Sequence, residues 1–356
     1  MDGYAVRAGD TFGASESMPG YLVVAGETPM GARPDFSIRP DQAAVIHTGG
    51  MLPPGADAVV ALEQTEIARP GEIEIMRAVA KGENVILEGE DVMEGQAVIP
   101  RGIRIRPVEL GGCMALGITQ IRVAVKPKIG IISSGDEVVP PEQAPGPGQV
   151  RDVNSYTLSA LVTEAGGEAL LYGVVRDRLK EIKERLAGAL SECHAVVITA
   201  GSSASARDMT AEAVAAQGAP GVLVHGVNVR PGKPTILAVC GGKAVIGLPG
   251  NPVSAMVIAR LFVVPVVKKL LGVKVERPVA SCLARLTVNV ASQAGREDWI
   301  PVKLTSVPNA AGDWLAEPVF SKSNLIFSMA AADGLFCIPL DVTGLEAGEQ
   351  IRVFIL

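Results

Sequence analysis

Residues 228–258 read NVRPGKPTILAVCGGKAVIGLPGNPVSAMVI. Two Pro/Gly-rich loops, Pro231-Gly232-Lys233-Pro234 and Leu248-Pro249-Gly250-Asn251-Pro252, are joined by short apolar runs. Val245–Leu248 predicts a buried strand. Asn251 then stands where an N-cap belongs, Pro252 falls at the first helical position, and Val253–Val267 is long and apolar enough for a helix. A strand that turns through glycine into a helix presents unpaired N–H groups and the positive end of a dipole. With the charge of Lys233 beside it, this stretch predicts a site for an anion.

The same unit recurs upstream. Ile129–Ile132 reads as a strand ending in Ser133-Ser134-Gly135-Asp136-Glu137, and Asn154 is placed to cap a helix through Ala165. Ala169–Val175 ends at Arg176-Asp177, with Asp177 placed to cap a helix over Arg178–Leu190. Ala195–Thr199 runs into a small-residue turn, Ala200–Asp208, followed by a helix to Gln217. Repeated β-loop-α order predicts the α/β class: a multidomain chain with a central, mostly parallel sheet and helices on both faces. Its polar turns lie at strand C-termini, the edge where open parallel sheets bind ligands. None reads GxGxxG or GxxxxGK[ST], which disfavours a dinucleotide site or a P-loop.

Around this core the pattern is β. Residues 1–88 alternate short β-type runs with Gly/Pro turns and predict an N-terminal β-rich module. Residues 89–126 differ in character, 127–274 carry the α/β repeats, and 275–356 predict a small C-terminal β-domain. The 356 residues carry 48% hydrophobic side chains and a formal net charge of −6, without a Lys/Arg block. That balance argues against a nucleic-acid partner. Five cysteines without CxxC spacing give no zinc or disulfide framework. No signal peptide is visible, and Phe262–Leu271 is too short to span a bilayer. A soluble, cytoplasmic protein without membrane association is the expectation.

One crevice at the strand ends would collect Ser133, Ser134, Glu137, Asp177, Ser203, Asp208, Lys233, Asn251 and Ser254. Hydroxyls and helix-end amides suit an oxyanion, and carboxylates suit a divalent cation that bridges phosphates. Singly, each also has a plain structural reading, as a cap or a turn. The acidic residues Glu88, Glu90, Asp91 and Glu94 are open to two readings, a solvated turn or oxygen ligands for Mg²⁺. His47, His194 and His225 read as structural. With no base placed beside a serine, phosphate chemistry with Mg²⁺ fits better than acyl transfer.

Ser134-Gly135-Asp136-Glu137, the Gly201–Asp208 loop, Pro231-Gly232-Lys233-Pro234 and Leu248–Ser254 together resemble the molybdopterin-binding α/β domain. Met1–Val6, His47-Thr48-Gly49-Gly50, Pro53–Asp57, Gly82-Glu83-Asn84 and Glu90-Asp91 resemble the upstream part of the MoeA family, the molybdopterin molybdenumtransferases akin to the gephyrin E domain. The resemblance implies insertion of molybdenum from molybdate into adenylylated molybdopterin, with Mg²⁺-dependent release of AMP. It implies a homodimer whose N-terminal modules complete the partner's cleft, and a molybdopterin adenylyltransferase as a possible partner. A non-catalytic molybdopterin-binding scaffold and a related nucleotidyl- or phosphohydrolase remain as alternatives.

By the same resemblance Asp2, Asp91, Glu137, Asp177 and Asp208 are expected to be catalytic, with Glu137, Asp177 and Asp208 the Mg²⁺ ligands. Thr48, Ser134, Gly135, Gly201, Ser203, Arg230, Lys233, Pro234, Pro249, Asn251, Ser254, Arg296 and Ser323 are expected to bind substrate. Three departures stand out. Arg230 replaces a lysine common in the family, keeping charge but changing donor geometry. The Ala200–Ser205 loop lacks two glycines, which alters close backbone approach to the ligand. The family also carries on the order of 50 further residues before the Met-Asp-Gly-Tyr motif. These would pair with 89–126 in an elongated dimerisation domain, and the chain as given is read either as a mis-started gene model or as a genuine truncation.

Overall fold

The computed structural model describes residues 2–200, 204–275, 278–306 and 314–356, and only the backbone of 204–207. It divides into two compact units, Met1–Val98 and Ile99–Leu356, so the boundary falls inside the 89–126 segment.

The first unit is a mixed six-stranded sheet. Its strands include Gly3–Val6, Gly20–Glu27, Gln42–Ile46, Ala58–Ala61 and Glu72–Ile75, close to the alternating apolar runs of the sequence. One face packs Tyr4, Val6, Leu22, Val60, Ile73 and Ile75, and the other packs Ala5, Ile38, Ile46 and Val59. Side chains alternate between faces because the strand period is two.

In the second unit, residues 99–126 contribute one helix, Pro107–Ala115. A six-stranded sheet follows, in the order Glu168–Val175, Lys128–Ser134, Ala195–Ala200, Lys243–Pro249, Ile236–Cys240, Pro220–His225. The first four strands are parallel, and the last two add antiparallel. The antiparallel turn is Gly241-Gly242, with φ of 55° and 80°. A tight two-residue hairpin needs positive φ at both positions, which glycine supplies without strain. Helices Asn154–Glu164 and Pro252–Ile258 pack on one face, and Leu179–Glu192 and Ala204–Ala215 on the other. The expected mostly parallel sheet between two helical layers is present.

Three local expectations are corrected. Asn154 is not the cap of its helix: it is the first helical residue, and Asp152 Oδ1 instead accepts the Ser155 N–H at 3.0 Å. Asp177 does not cap the next helix either, which starts at Leu179 after Arg178 without a side-chain cap. The apolar run after Asn251 is not one uniform helix. It is α over Pro252–Ile258, π over Ala259–Val263 and α again over Val264–Leu270. Pro265 has no N–H to donate back to residue 261, so the ladder ahead of it widens by one residue.

The C-terminal sheet contains Ser281–Leu286, Glu297–Ser306, Trp314–Pro318, Gly334–Ile338 and Gln350–Ile355. It joins the α/β layer in two ways. Val253 and Val257 pack with Met329 and Leu335 in a shared apolar cluster. The two-residue strand Val229–Arg230 also adds in parallel to Glu297-Asp298. Among the described residues no helix is long and apolar enough to cross a membrane.

Candidate functional site

Both opening loops face one cleft of about 910 Å³ between the α/β layer and the C-terminal sheet. The first loop is held by its own backbone. Val227 and Thr235 both donate their N–H groups to the Lys233 carbonyl at 2.9 Å, and Thr235 Oγ1 donates to the Gly232 carbonyl at 2.6 Å. Gly232 sits at φ +131°, and a Cβ there would lie 2.3 Å from Ile258 Cδ1. Only glycine fits between that loop and the helix. The Lys233 side chain is left exposed at the cleft.

The second loop delivers Pro249, Asn251 and Ser254 to the same cleft. Asn251 is the N-cap by backbone position, at φ −68° and ψ 124°, but its side chain makes no cap bond. Its Nδ2 donates instead to Ser323 Oγ at 2.9 Å, and the Ser323 carbonyl accepts the Val253 N–H at 3.0 Å. One of the amides expected to face an anion is therefore already used. The positive charge of the cleft comes from side chains. Among the described residues, Arg230, Lys233, Arg296 and Lys322 line it against a single carboxylate, Asp298, a local excess of three positive charges in a chain of net charge −6. The expected residues Arg230, Lys233, Pro234, Pro249, Asn251, Ser254, Arg296 and Ser323 thus share one cavity.

Sequence reasoning missed Asp298, which is 2% exposed. Arg296 Nε donates to its Oδ1 at 2.8 Å, and Arg230 Nη1 reaches its Oδ2 at 3.5 Å. The signal was faint: a carboxylate two places from an arginine at the start of a strand, where i and i+2 share a face.

A second group gathers at the parallel strand ends. Ser134, 3% exposed, donates to the Thr199 carbonyl at 3.1 Å. Gly135 sits at φ +149°, and its N–H donates to the Val175 carbonyl. Glu137, Asp136 and Asp177 stand together here. Burial first, then the Glu137 and Asp136 charges, push the Asp177 carboxyl above its ordinary value. Asp177 Oδ1 is buried without a hydrogen-bond partner. Asp208 is exposed on the helix Ala204–Ala215. Among the described residues no three His, Cys, Asp or Glu side chains form a ready metal cage, so Glu137, Asp177 and Asp208 are not a preassembled trio. Gly201 and Ser203 lie outside the described residues.

In the first unit, Asp2 Oδ1 accepts the Thr48 N–H at 2.7 Å and the Thr48 hydroxyl at 3.0 Å. Those bonds, the backbone one foremost, hold the Asp2 carboxyl below its ordinary value. Asp91 is exposed in a turn, and its neighbour Glu90 accepts the Leu87 N–H. His47 pairs with Glu27 at 3.0 Å, and His194 Nδ1 accepts the Lys128 N–H.

Comparison with known proteins places this architecture. Three family models match in chain order: "MoeA N-terminal region (domain I and II)" over residues 1–117, "Probable molybdopterin binding domain" over 130–269 and "MoeA C-terminal region (domain IV)" over 283–356. The chain is 32% identical to the molybdopterin molybdenumtransferase of Nostoc sp., covering 99% of this chain and 81% of that protein. It is 30% identical to the molybdopterin molybdenumtransferase of Bacillus subtilis, covering 100% and 82%. The crystal structure of a molybdopterin biosynthesis MoeA protein from Pyrococcus horikoshii superposes with a TM-score of 0.84 at 32% identity, covering 100% of this chain and 86% of that one. Sequence and fold agree over the whole length: the chain belongs to the MoeA family.

Proposed function

We propose that this protein is a molybdopterin molybdenumtransferase: it inserts molybdenum from molybdate into adenylylated molybdopterin and releases AMP, in molybdenum cofactor biosynthesis. One observation carries the reading. A cleft with an excess of three positive charges collects Lys233, Arg296, Ser254 and Ser323 around a space suited to a tetrahedral dianion. Ammonium and guanidinium donors supply charge-assisted bonds, and the serine hydroxyls supply neutral ones. Pro234 and Pro249 shape the wall without adding competing N–H donors.

The acidic turn suits Mg²⁺. Asp177 Oδ1 is buried without a partner beside Glu137 and Asp136, an arrangement that a cation relieves. Mg²⁺ needs only one or two protein carboxylates when phosphate oxygens complete its shell. Glu137 and Asp177 are the proposed ligands, with Asp208 as a further acidic contact. When bound, the ion neutralises and polarises the phosphates whose bond to adenylate is cleaved. Ser134 and Gly135 are proposed to meet the substrate at the same sheet edge, and Gly201 and Ser203, outside the described residues, are proposed as further substrate contacts. Asp2, Thr48 and Asp91 are proposed as the contribution of the first unit.

A homodimer is part of the proposal. Val108, Leu110 and Met114 on the Pro107–Ala115 helix are 65%, 56% and 51% exposed, which supports a partner surface there. A cytoplasmic location and substrate delivery by a molybdopterin adenylyltransferase complete it. The test is turnover of adenylylated molybdopterin with Mg²⁺ and molybdate, wild type against Glu137→Ala. Substrate binding without AMP release at any molybdate or Mg²⁺ level would make the protein a scaffold. AMP without cofactor would make it a hydrolase.

A further inference from the structure

Among the described residues that line the cleft, Asp298 is the one carboxylate beside four cations, and its side chain is only 3% exposed. Its two guanidinium partners are held unequally. Arg296 grips it with Nε to Oδ1 at 2.8 Å and Nη2 to Oδ2 at 3.4 Å, and is itself 31% exposed. Arg230 touches Oδ2 with one Nη1 at 3.5 Å and is 62% exposed. The backbone enforces both approaches. Arg296 precedes Asp298 by two residues at the start of the Glu297–Ser306 strand, and Arg230 is registered directly opposite Asp298 in the parallel Val229–Arg230 pairing. A guanidinium has five N–H donors, so an Arg296 that spends one edge on Asp298 keeps its other donors for the cleft.

We propose that Asp298 is a positioning residue for oxyanion binding: it fixes the Arg296 guanidinium in one orientation and holds Arg230 loosely, as the arginine that an arriving dianion draws over. The inference rests on the reading of this cleft as the molybdate site. It makes a prediction opposite to that of simple charge counting. Removing a carboxylate from a cationic cleft raises the local potential and by Coulomb attraction alone tightens anion binding. If Asp298 acts by orientation, its removal loosens binding, because both guanidiniums must then be ordered by the ligand itself.

The experiment is calorimetric titration of the full chain with sodium molybdate, comparing wild type, Asp298→Asn and Lys233→Ala. The expected result is a Kd raised about tenfold or more in Asp298→Asn, the scale of one charge-assisted bond, at unchanged stoichiometry. Equal or tighter binding by Asp298→Asn overturns the inference while leaving the cleft reading intact. Wild type that fails to bind molybdate removes the cleft reading, and this inference with it. If Asp298→Asn does not fold, ¹⁵N-edited arginine spectra of the wild type decide. The Arg296 Nε–H should exchange slowly with and without molybdate, and that of Arg230 should change only on its addition. An Arg296 Nε–H exchanging as fast as a surface arginine overturns the inference.

Discussion

Asn251 Nδ2 donates to Ser323 Oγ at 2.9 Å, 72 residues away in sequence, and the Ser323 carbonyl returns to accept the Val253 N–H. A residue placed to cap a helix instead ties the α/β layer to a turn of the C-terminal domain. The cleft depends on that tie, because its lining residues come from both sides of it.

Asn251→Ala and Ser323→Ala should each cost about 0.5–1.5 kcal/mol of stability, the usual net worth of one hydrogen bond. The double variant should cost less than the sum, since the two residues are direct partners. Urea denaturation of the four-member cycle checks this. Strict additivity would show that the bond contributes nothing. Molybdate affinity should fall with either single change.

Gly232→Ala should destabilise the protein by about 1–3 kcal/mol or more, through overpacking and a strained positive φ. The new Cβ meets Ile258, which is fully buried and has nowhere to move. Gly111→Ala is the control. A Cβ there has nothing within 4 Å and lies inside the Pro107–Ala115 helix, so it should stabilise by about 0.5–1 kcal/mol. Thermal melts compare the two. Equal effects would refute the close contact at Gly232.

Asp177→Asn should leave stability unchanged or raise it while weakening Mg²⁺ dependence. The wild-type carboxylate is crowded by Glu137 and Asp136 and has a buried oxygen without a partner. Removing its charge relieves both, at the expense of a proposed ligand. Melting temperatures with and without Mg²⁺ test this. A large loss of stability in the absence of Mg²⁺ would contradict it.

Asp2 gives the pH dependence. Its folded carboxyl sits below the ordinary value because the Thr48 N–H, then the Thr48 hydroxyl, bind the ionised form. A depressed carboxylate contributes stability fully above its unfolded pKa of about 3.9 and loses it as pH falls through the lower folded value. In NMR titrations the Thr48 amide shift should therefore hold steady through the ordinary carboxylate range and move only at more acid pH. Asp2→Asn should abolish that late step. A Thr48 amide that titrates with the ordinary carboxylates would rule out the bond.

The α/β class, the order of β and α elements, the β-rich flanks and the two loops at residues 231–234 and 248–252 are written in local sequence. Each depends on residues a few positions apart: apolar spacing, a glycine that permits a turn, a proline at the first helical position. Where each polar side chain points is not local. Asp152 rather than Asn154 takes the Ser155 amide, and Asn251 reaches Ser323 rather than its own helix. Asp298 lies beneath two arginines, one of them 68 residues distant and set opposite it by strand register. Short polar side chains have several partners of similar energy within reach, and packing of distant segments selects among them. The sequence by itself determined which loops could meet an anion. Only the tertiary structure decided that Arg230, Lys233, Ser254, Arg296 and Ser323 share one cleft, because burial of the Val253–Leu335 apolar cluster and the Val229–Arg230 strand pairing bring the two domains' edges together.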